Sequence, residues 1–426
     1  MNLKELKEGE IYKIKTSSYE IEGRIISINS EIVLVKLSSG YNIGIKNKDI
    51  KSFKKLKSKK LKIKRVKLKT KKKKLPKISM ISTGGTITSR IDYRTGAVYP
   101  LEKPEELLVS IPELSNIADI KLIQPFSILS EDMNISHWKE IGKLVVKELN
   151  SDSKGVIVTH GTDTLHYTSA ALSFMLKDLS KPVALVGGQR SSDRGSFDGA
   201  LNMICAAHYC MSDIAEVSIV MHGSEEDKYC LANRGTNVRK MSSSRRDTFR
   251  PINEFPLAKI DSSGKINMLN NNFNKRSNSK VKLNDSFENK VALIKIYPGA
   301  DPKILEYYLD KKYKGIIIEG TGFGHVSTFK KNNWIPAIKK AVEKDVFVGI
   351  TSQAFYGKTD PYIYSTGRLM LDTGAVFLKE MLPETAYVKL SWVLGQTKKL
   401  SKVKEMMLEN IAGEINKQIK SKSFLY

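Results

Sequence analysis

The chain has 426 residues, 41% of them hydrophobic and 27% charged, and carries a formal net charge of +26. That length predicts two or three domains, and the composition fits a globular protein with a sizeable core. Its apolar runs fall far short of the roughly 18 residues a membrane-spanning helix needs, and the opening Met-Asn-Leu-Lys-Glu-Leu-Lys lacks the apolar stretch of a secretory signal, so the expectation is a cytoplasmic protein with no membrane contact.

Three cysteines, Cys205, Cys210 and Cys230, are too few and odd in number for a disulfide framework. No His or Cys pair stands at metal-ligand spacing beside them, so they read as buried free thiols and no structural metal is expected. The positive charge is uneven. No acidic residue occurs from 51 to 91, a stretch that includes four successive lysines, 71–74. Such a segment is either a solvated linker or an electrostatic contact to a phosphate backbone.

In chain order, residues 1–55 read as a small β-domain. The segments 10–15, 20–28, 32–37 and 41–45 are β-rich and partly alternating, with a Ser-Ser-Gly turn before Tyr41. Short strands so closely spaced predict a small barrel of the SH3 or Tudor kind, a fold that does not decide a function. A basic linker, 56–76, follows. From 77 the pattern changes to strands at 77–82, 155–159, 182–186 and 217–221, alternating with helices at 138–149, 164–176 and 196–211. This predicts an α/β domain over 77–262 with a mainly parallel sheet. Residues 263–289 are polar and read as a linker. A second α/β unit over 290–426 has expected strands at 291–296, 315–319 and 346–350 and helices at 301–311, 333–343 and 383–394. The tail, 403–420, reads as an amphipathic helix.

Ligands of such sheets bind at the carboxyl ends of the strands. The first such loop is Thr-Gly-Gly-Thr-Ile, 83–87, whose glycines permit a sharp turn and close approach to a ligand and present Thr86 at a strand end. Another is Thr-His-Gly-Thr-Asp-Thr, 159–164, where Thr162 and Asp163 either cap a helix or face a substrate. His160 is a candidate general base, although a satisfied structural histidine is the commoner role. Ser127 to Asn134, Gly-Gly-Gln-Arg-Ser-Ser-Asp at 187–193 and the segment 233–240 ending in Lys240 complete the set. Alone, Lys240 would be an ordinary surface lysine.

Taken together, Thr-Gly-Gly-Thr-Ile and His-Gly-Thr-Asp-Thr resemble the two signature segments of bacterial-type L-asparaginases, and the loop at 187–193 resembles a third segment of that family. Lys240 falls where the family has its active-site lysine. The resemblance runs from about residue 77 to about 400 and implies a two-domain asparaginase-type α/β core behind the small barrel. It further implies an amidase in which Thr86 and Thr162 face the substrate, with Lys240 near Thr162 and Asp163 beside both. A threonine hydroxyl needs an adjacent base to attack, and a lysine accepts a proton only while neutral, a form that desolvation favours. Backbone N–H groups of the glycine turns would hold the oxyanion. By the same resemblance Ser130 contacts the substrate carboxylate, Glu131 stands where simple asparaginases have glutamine, and Tyr99 is the mobile active-site tyrosine.

A stand-alone asparaginase begins near its first core strand, whereas here a β-domain and a basic arm precede it. This architecture, with the segment Pro-Glu-Thr-Ala-Tyr-Val-Lys-Leu-Ser-Trp-Val-Leu-Gly at 383–395, resembles the D subunits of archaeal glutamyl-tRNA(Gln) amidotransferases. That resemblance implies a glutaminase or asparaginase subunit that supplies ammonia from glutamine or asparagine to convert Glu-tRNA(Gln) to Gln-tRNA(Gln). It also implies a homodimeric core in a heterotetramer with a tRNA-binding E subunit. This chain would hold no cofactor, ATP and Mg being used through the partner. The alternatives are a free L-asparaginase with an appended N-terminal domain and a non-enzymatic RNA-binding protein on an asparaginase scaffold.

Overall fold

The computed structural model describes residues 5–37, 42–56, 75–91, 98–100 and 105–426. The N-terminal unit has five antiparallel strands, Ile11–Thr16, Glu20–Ile28, Ile32–Leu37, Asn42–Lys46 and Ile50–Lys55. The last of them, absent from the apolar pattern, returns beside the first. It is lysine-rich because it is an edge strand that turns Ile50 and Phe53 to the core and its charges to water. Alternation places Tyr12, Ile14, Ile25, Val33, Val35 and Ile45 on one inner face, giving this barrel-like unit a core of its own. Most of the connector, including the lysine run 71–74, lies outside the described residues.

The central layer is an eight-stranded sheet. Its order is Ile266–Met268, Ala258–Asp261, Tyr229–Arg234, Val217–His222, Val183–Val186, Val156–Thr159, Lys77–Ser82, Asp119–Ile123. The last five of these are parallel, and the first three extend the sheet antiparallel. The runs Val-Ile-Val-Thr and Val-Ala-Leu-Val are buried at every position because helices cover both faces. Ile135–Leu149 turns Trp138, Ile141, Val145 and Leu149 inward at helical spacing, and Leu165–Met175 packs against it. Gly199–Tyr209 covers the opposite face with Met203, Cys205 and Tyr209. All three cysteines are buried free thiols.

The C-terminal unit is a four-stranded parallel sheet, Val291–Lys295, Gly315–Gly320, Phe347–Ser352 and Val376–Phe377. The helix Pro383–Gln396 joins the two units. It contacts both this sheet and Leu165–Met175, and its Trp392 stacks on Phe174 with ring centroids 6.1 Å apart. Two expected segments differ. Within 263–289, read as a linker, Ile266–Met268 extends the central sheet and Lys282–Leu283 pairs with Leu176–Lys177. In the tail the helix is Leu400–Leu408. Beyond it the Glu414 carboxylate folds back to accept from the N–H groups of Ile411 and Ala412, and the left-handed Gly413 (φ +83°) turns the chain, a geometry no helix shares. No helix among the described residues is long and apolar enough to cross a membrane.

Candidate active site

The polar loops converge at the carboxyl ends of the parallel strands, because the strands beneath them are neighbours in register. Ser82 pairs with Thr159 and Thr159 with Val186. The Thr83 hydroxyl donates to the Thr159 carbonyl at 2.8 Å, tying the first loop to the second. Gly84 and Gly85 both lie in the left-handed region, φ +110° and +83°. A Cβ at Gly85 would stand 2.4 Å from the Gly161 nitrogen, so only glycine lets these two loops touch. Gly161 in turn leaves room for Ser130, whose Cβ would lie 2.7 Å from a side chain there. The half-buried Thr86 opens the single 3-10 turn Thr86–Thr88 directly after Gly85.

Thr162 is buried at the end of the second loop, followed by an exposed Asp163. Lys240 reaches this point from the short strand Val238–Lys240, and its amine donates to Thr162 Oγ1 at 2.8 Å and to Asp163 Oδ1 at 2.7 Å. Its side chain is only 10% exposed, whereas that of Asp163 is 68% exposed, so the amine bridges a buried hydroxyl and a solvated carboxylate. Of the residues singled out in the sequence, Thr162, Asp163 and Lys240 are thus in direct contact. Thr86 and Ser130 adjoin them through Gly85 and Gly161. Ser130 is buried, its carbonyl accepts from Thr164 Oγ1 at 2.6 Å, and it begins the turn Ser130–Asp132 on which Glu131 is exposed. The side chain of Tyr99 lies outside the described residues.

His160 is a structural residue. Its Nδ1 lies 2.6 Å from the Gly161 carbonyl and its Nε2 2.9 Å from the Thr168 hydroxyl. A carbonyl can only accept, so Nδ1 carries the proton and Nε2 accepts from Thr168, which itself accepts from Trp138 Nε1. Burial brings its pKa down to about 4, which keeps it neutral at pH 7. His166, one helical position beyond Leu165, is lowered to about 3, chiefly by burial and then by the charges of Arg239 and Lys240.

Two residues missed in the sequence shape the loop at 187–193. The Asp198 carboxylate, wholly buried, accepts from the N–H groups of Gln189 and Arg190 at 3.0 and 2.9 Å. Asn202 donates to the Gly187 carbonyl at 3.0 Å and accepts from His222. Nothing in the sequence around 198 and 202 distinguishes them from ordinary helix residues; an acid at a helix start is the only available sign.

Chemically, this is a hydroxyl with a lysine amine in hydrogen-bond contact, set among backbone amides at a strand end. That arrangement can generate an oxygen nucleophile and stabilise the oxyanion it forms. Comparison with known proteins identifies the class to which the fold belongs. Residues 77–274 match the model of the asparaginase N-terminal domain and residues 290–407 that of the glutaminase/asparaginase C-terminal domain. The fold is similar to that of the thermostable L-asparaginase from Thermococcus kodakarensis, with a TM-score of 0.71 and 27% identity over 80% of this chain and 100% of that one. The protein is therefore of the asparaginase class.

Within that class it carries a distinguishing part, since residues 6–56 match the model of the GatD N-terminal domain. The D subunit of the glutamyl-tRNA(Gln) amidotransferase of Pyrococcus furiosus is 52% identical over 398 residues, which cover 93% of this chain and 90% of that protein. The D subunit of the Methanosarcina mazei enzyme is 44% identical over 426 residues, covering 97% and 99%. The chain belongs to the family of glutamyl-tRNA(Gln) amidotransferase D subunits.

Proposed function

We propose that this chain is the ammonia-releasing subunit of a tRNA-dependent amidotransferase, which cleaves the side-chain amide of glutamine or asparagine through a threonine nucleophile. The contact of Lys240 with Thr162 and Asp163, on a chain whose relatives carry that subunit's name, is the observation that carries the reading.

In the proposed reaction a threonine hydroxyl of the Thr86–Thr162 pair attacks the amide carbon. Its proton passes to the Lys240 amine, and backbone N–H groups of the glycine turn hold the resulting oxyanion. The amide nitrogen takes up a proton as the C–N bond breaks, ammonia leaves and an acyl-threonine ester remains. Water then cleaves the ester and releases the free acid. Ser130 and Glu131 would hold the substrate's carboxylate and amino ends, and Tyr99 is the third substrate-binding residue that the family resemblance implies.

The ammonia would pass to an E subunit that binds Glu-tRNA(Gln) and activates its glutamyl group with ATP and Mg. This chain itself would bind no cofactor. A homodimeric core within a heterotetramer would cover exposed aromatic rings that follow the second strand of the C-terminal sheet, where the ring centroids of Phe323 and Tyr364 lie 6.4 Å apart. The proposal is tested by measuring ammonia release from glutamine and from asparagine, with and without that partner and mischarged tRNA. Rapid asparagine turnover by the chain alone, with no effect of partner or tRNA, would identify a free asparaginase instead.

A further inference from the structure

Lys240 stands at the end of a short two-stranded ribbon. Its strand, Val238–Lys240, pairs with Phe249–Pro251 in a two-stranded ribbon separate from the central sheet. Two strands of three residues are not stable by themselves. Val238 and Phe249 anchor the ribbon in the core, and the contacts of the intervening Arg239 further restrict where the amine at its end lies.

We infer that Arg239 and Glu384 form a clamp between the two domains that positions the Lys240 amine on the Thr162 hydroxyl. The inference rests on the functional reading above. Successive residues of a strand face opposite sides, so the side chain next to Lys240 points away from the site. Arg239 uses that opposite side to pair with Glu384, the second residue of the helix Pro383–Gln396, and its guanidinium lies 4.2 Å from the centre of the Phe355 ring. The Glu384 carboxylate is buried, its second oxygen has no hydrogen-bond partner among the described residues, and burial raises its pKa while Arg239 lowers it. Separating such a buried carboxylate from its guanidinium leaves an uncompensated charge, so the pair resists displacement of either side chain.

The ribbon itself creates the need for the clamp. Arg239 stands directly across from Arg250, and like charges in that position repel. Asp247 takes Arg250 from the same domain, which leaves Glu384 of the other domain for Arg239. The chain just before Arg239 is held from the same side: Thr385 Oγ1 donates to the Thr236 carbonyl at 2.8 Å, and Asn237 Nδ2 donates to the Gly413 carbonyl at 2.7 Å. The C-terminal domain therefore reaches the ammonia-releasing step through one residue of separation from the amine. Arg239 and Glu384 are positioning residues and touch no substrate.

The test is steady-state ammonia release by the full-length chain carrying Glu384→Gln or Arg239→Lys, with thermal unfolding measured in parallel. We expect kcat to fall about ten- to a hundredfold with KM within about twofold, because a displaced catalytic group costs rate far more than binding. The double variant Arg239→Gln/Glu384→Gln should be no slower than the worse single variant. If Glu384→Gln does not fold, Arg239→Lys and Phe355→Leu, which keep the charge and lose only the fork or the stacking, carry the same expectation. Folded variants with unchanged kcat, or with the loss in KM alone, overturn the clamp. Full activity of Thr162→Ala would instead overturn the functional reading, so the two failures are distinguishable.

Discussion

The Lys240 amine lies 2.8 Å from the Thr162 hydroxyl, although the two residues are 78 positions apart and are carried by different sheets of one domain. The contact joins residues distant in the chain, so it depends on the folded domain, and it brings a mostly buried lysine side chain to a buried hydroxyl. Lys240→Met should therefore lower kcat for ammonia release on the order of 10²- to 10⁴-fold, the usual contribution of a positioned acid–base group. Thr162→Ala and Thr86→Ala should each abolish turnover. Ammonia assays on variants with unchanged unfolding temperature check this, and a Lys240→Met enzyme at full rate would remove the lysine from the mechanism.

Gly85 and Gly161 meet where no side chain fits. Gly85→Ala puts a Cβ 2.4 Å from the Gly161 nitrogen and forces φ +83° on a non-glycine residue. Strain of this kind costs about 1–3 kcal/mol. Denaturant unfolding should show a loss of that size together with a large drop in activity, since Thr86 moves with the turn. Unaltered stability and rate would mean the loops are not in contact.

The pH dependence of stability should carry the mark of His160. Burial holds its pKa in the folded protein at about 4, below its ordinary value of 6.5, so between those values the unfolded chain binds a proton that the folded chain does not. The stabilisation is present above about pH 6.5 and is lost as pH falls toward 4, by about 3 kcal/mol in all. His166 acts in the same direction. Unfolding free energies of the wild type and of His160→Gln, measured from pH 7 to pH 4.5, should show a shallower slope for the variant. Parallel slopes would contradict the assignment.

The pair Lys389–Glu414 is fully buried, at 2.6 Å, and Lys389 also donates to the Met407 carbonyl at 3.1 Å. Breaking such a pair from one side leaves a buried charge and costs about 3–5 kcal/mol. Glu414→Gln should lower the unfolding free energy by that amount and make the chain beyond Leu408 sensitive to limited proteolysis. A tail that remains protected would show that the pair does not hold it.

Much of the fold was legible in the sequence because its central strands are buried on both faces and read as unbroken apolar runs, as in Val-Ile-Val-Thr at 156–159. The antiparallel extension was hidden. Tyr229–Arg234 carries Asn233 and Arg234 into the interior, where Glu216 and Glu254 pair with the arginine, and only the folded partners make such a strand stable. Ile266–Met268 is an edge strand of three residues in a polar stretch, too short to show a period. The site was legible unevenly. Gly-Gly-Thr and Gly-Thr-Asp mark turns at strand ends by their own chemistry, but Lys240 is one of many lysines and stood out only through family resemblance. Arg239, Glu384, Asp198 and Asn202 act through partners distant in the chain, which no local pattern reveals.

The most direct test of the central claim is transamidation in a reconstituted system. Purified chain, an E subunit from a close relative, glutamine, ATP, Mg and Glu-tRNA(Gln) are combined, and Gln-tRNA(Gln) is measured. The account predicts Gln-tRNA(Gln) formation that requires this chain and is lost with Thr162→Ala or Lys240→Met, while added ammonium restores it. Product formation from glutamine that persists with both variants would contradict it.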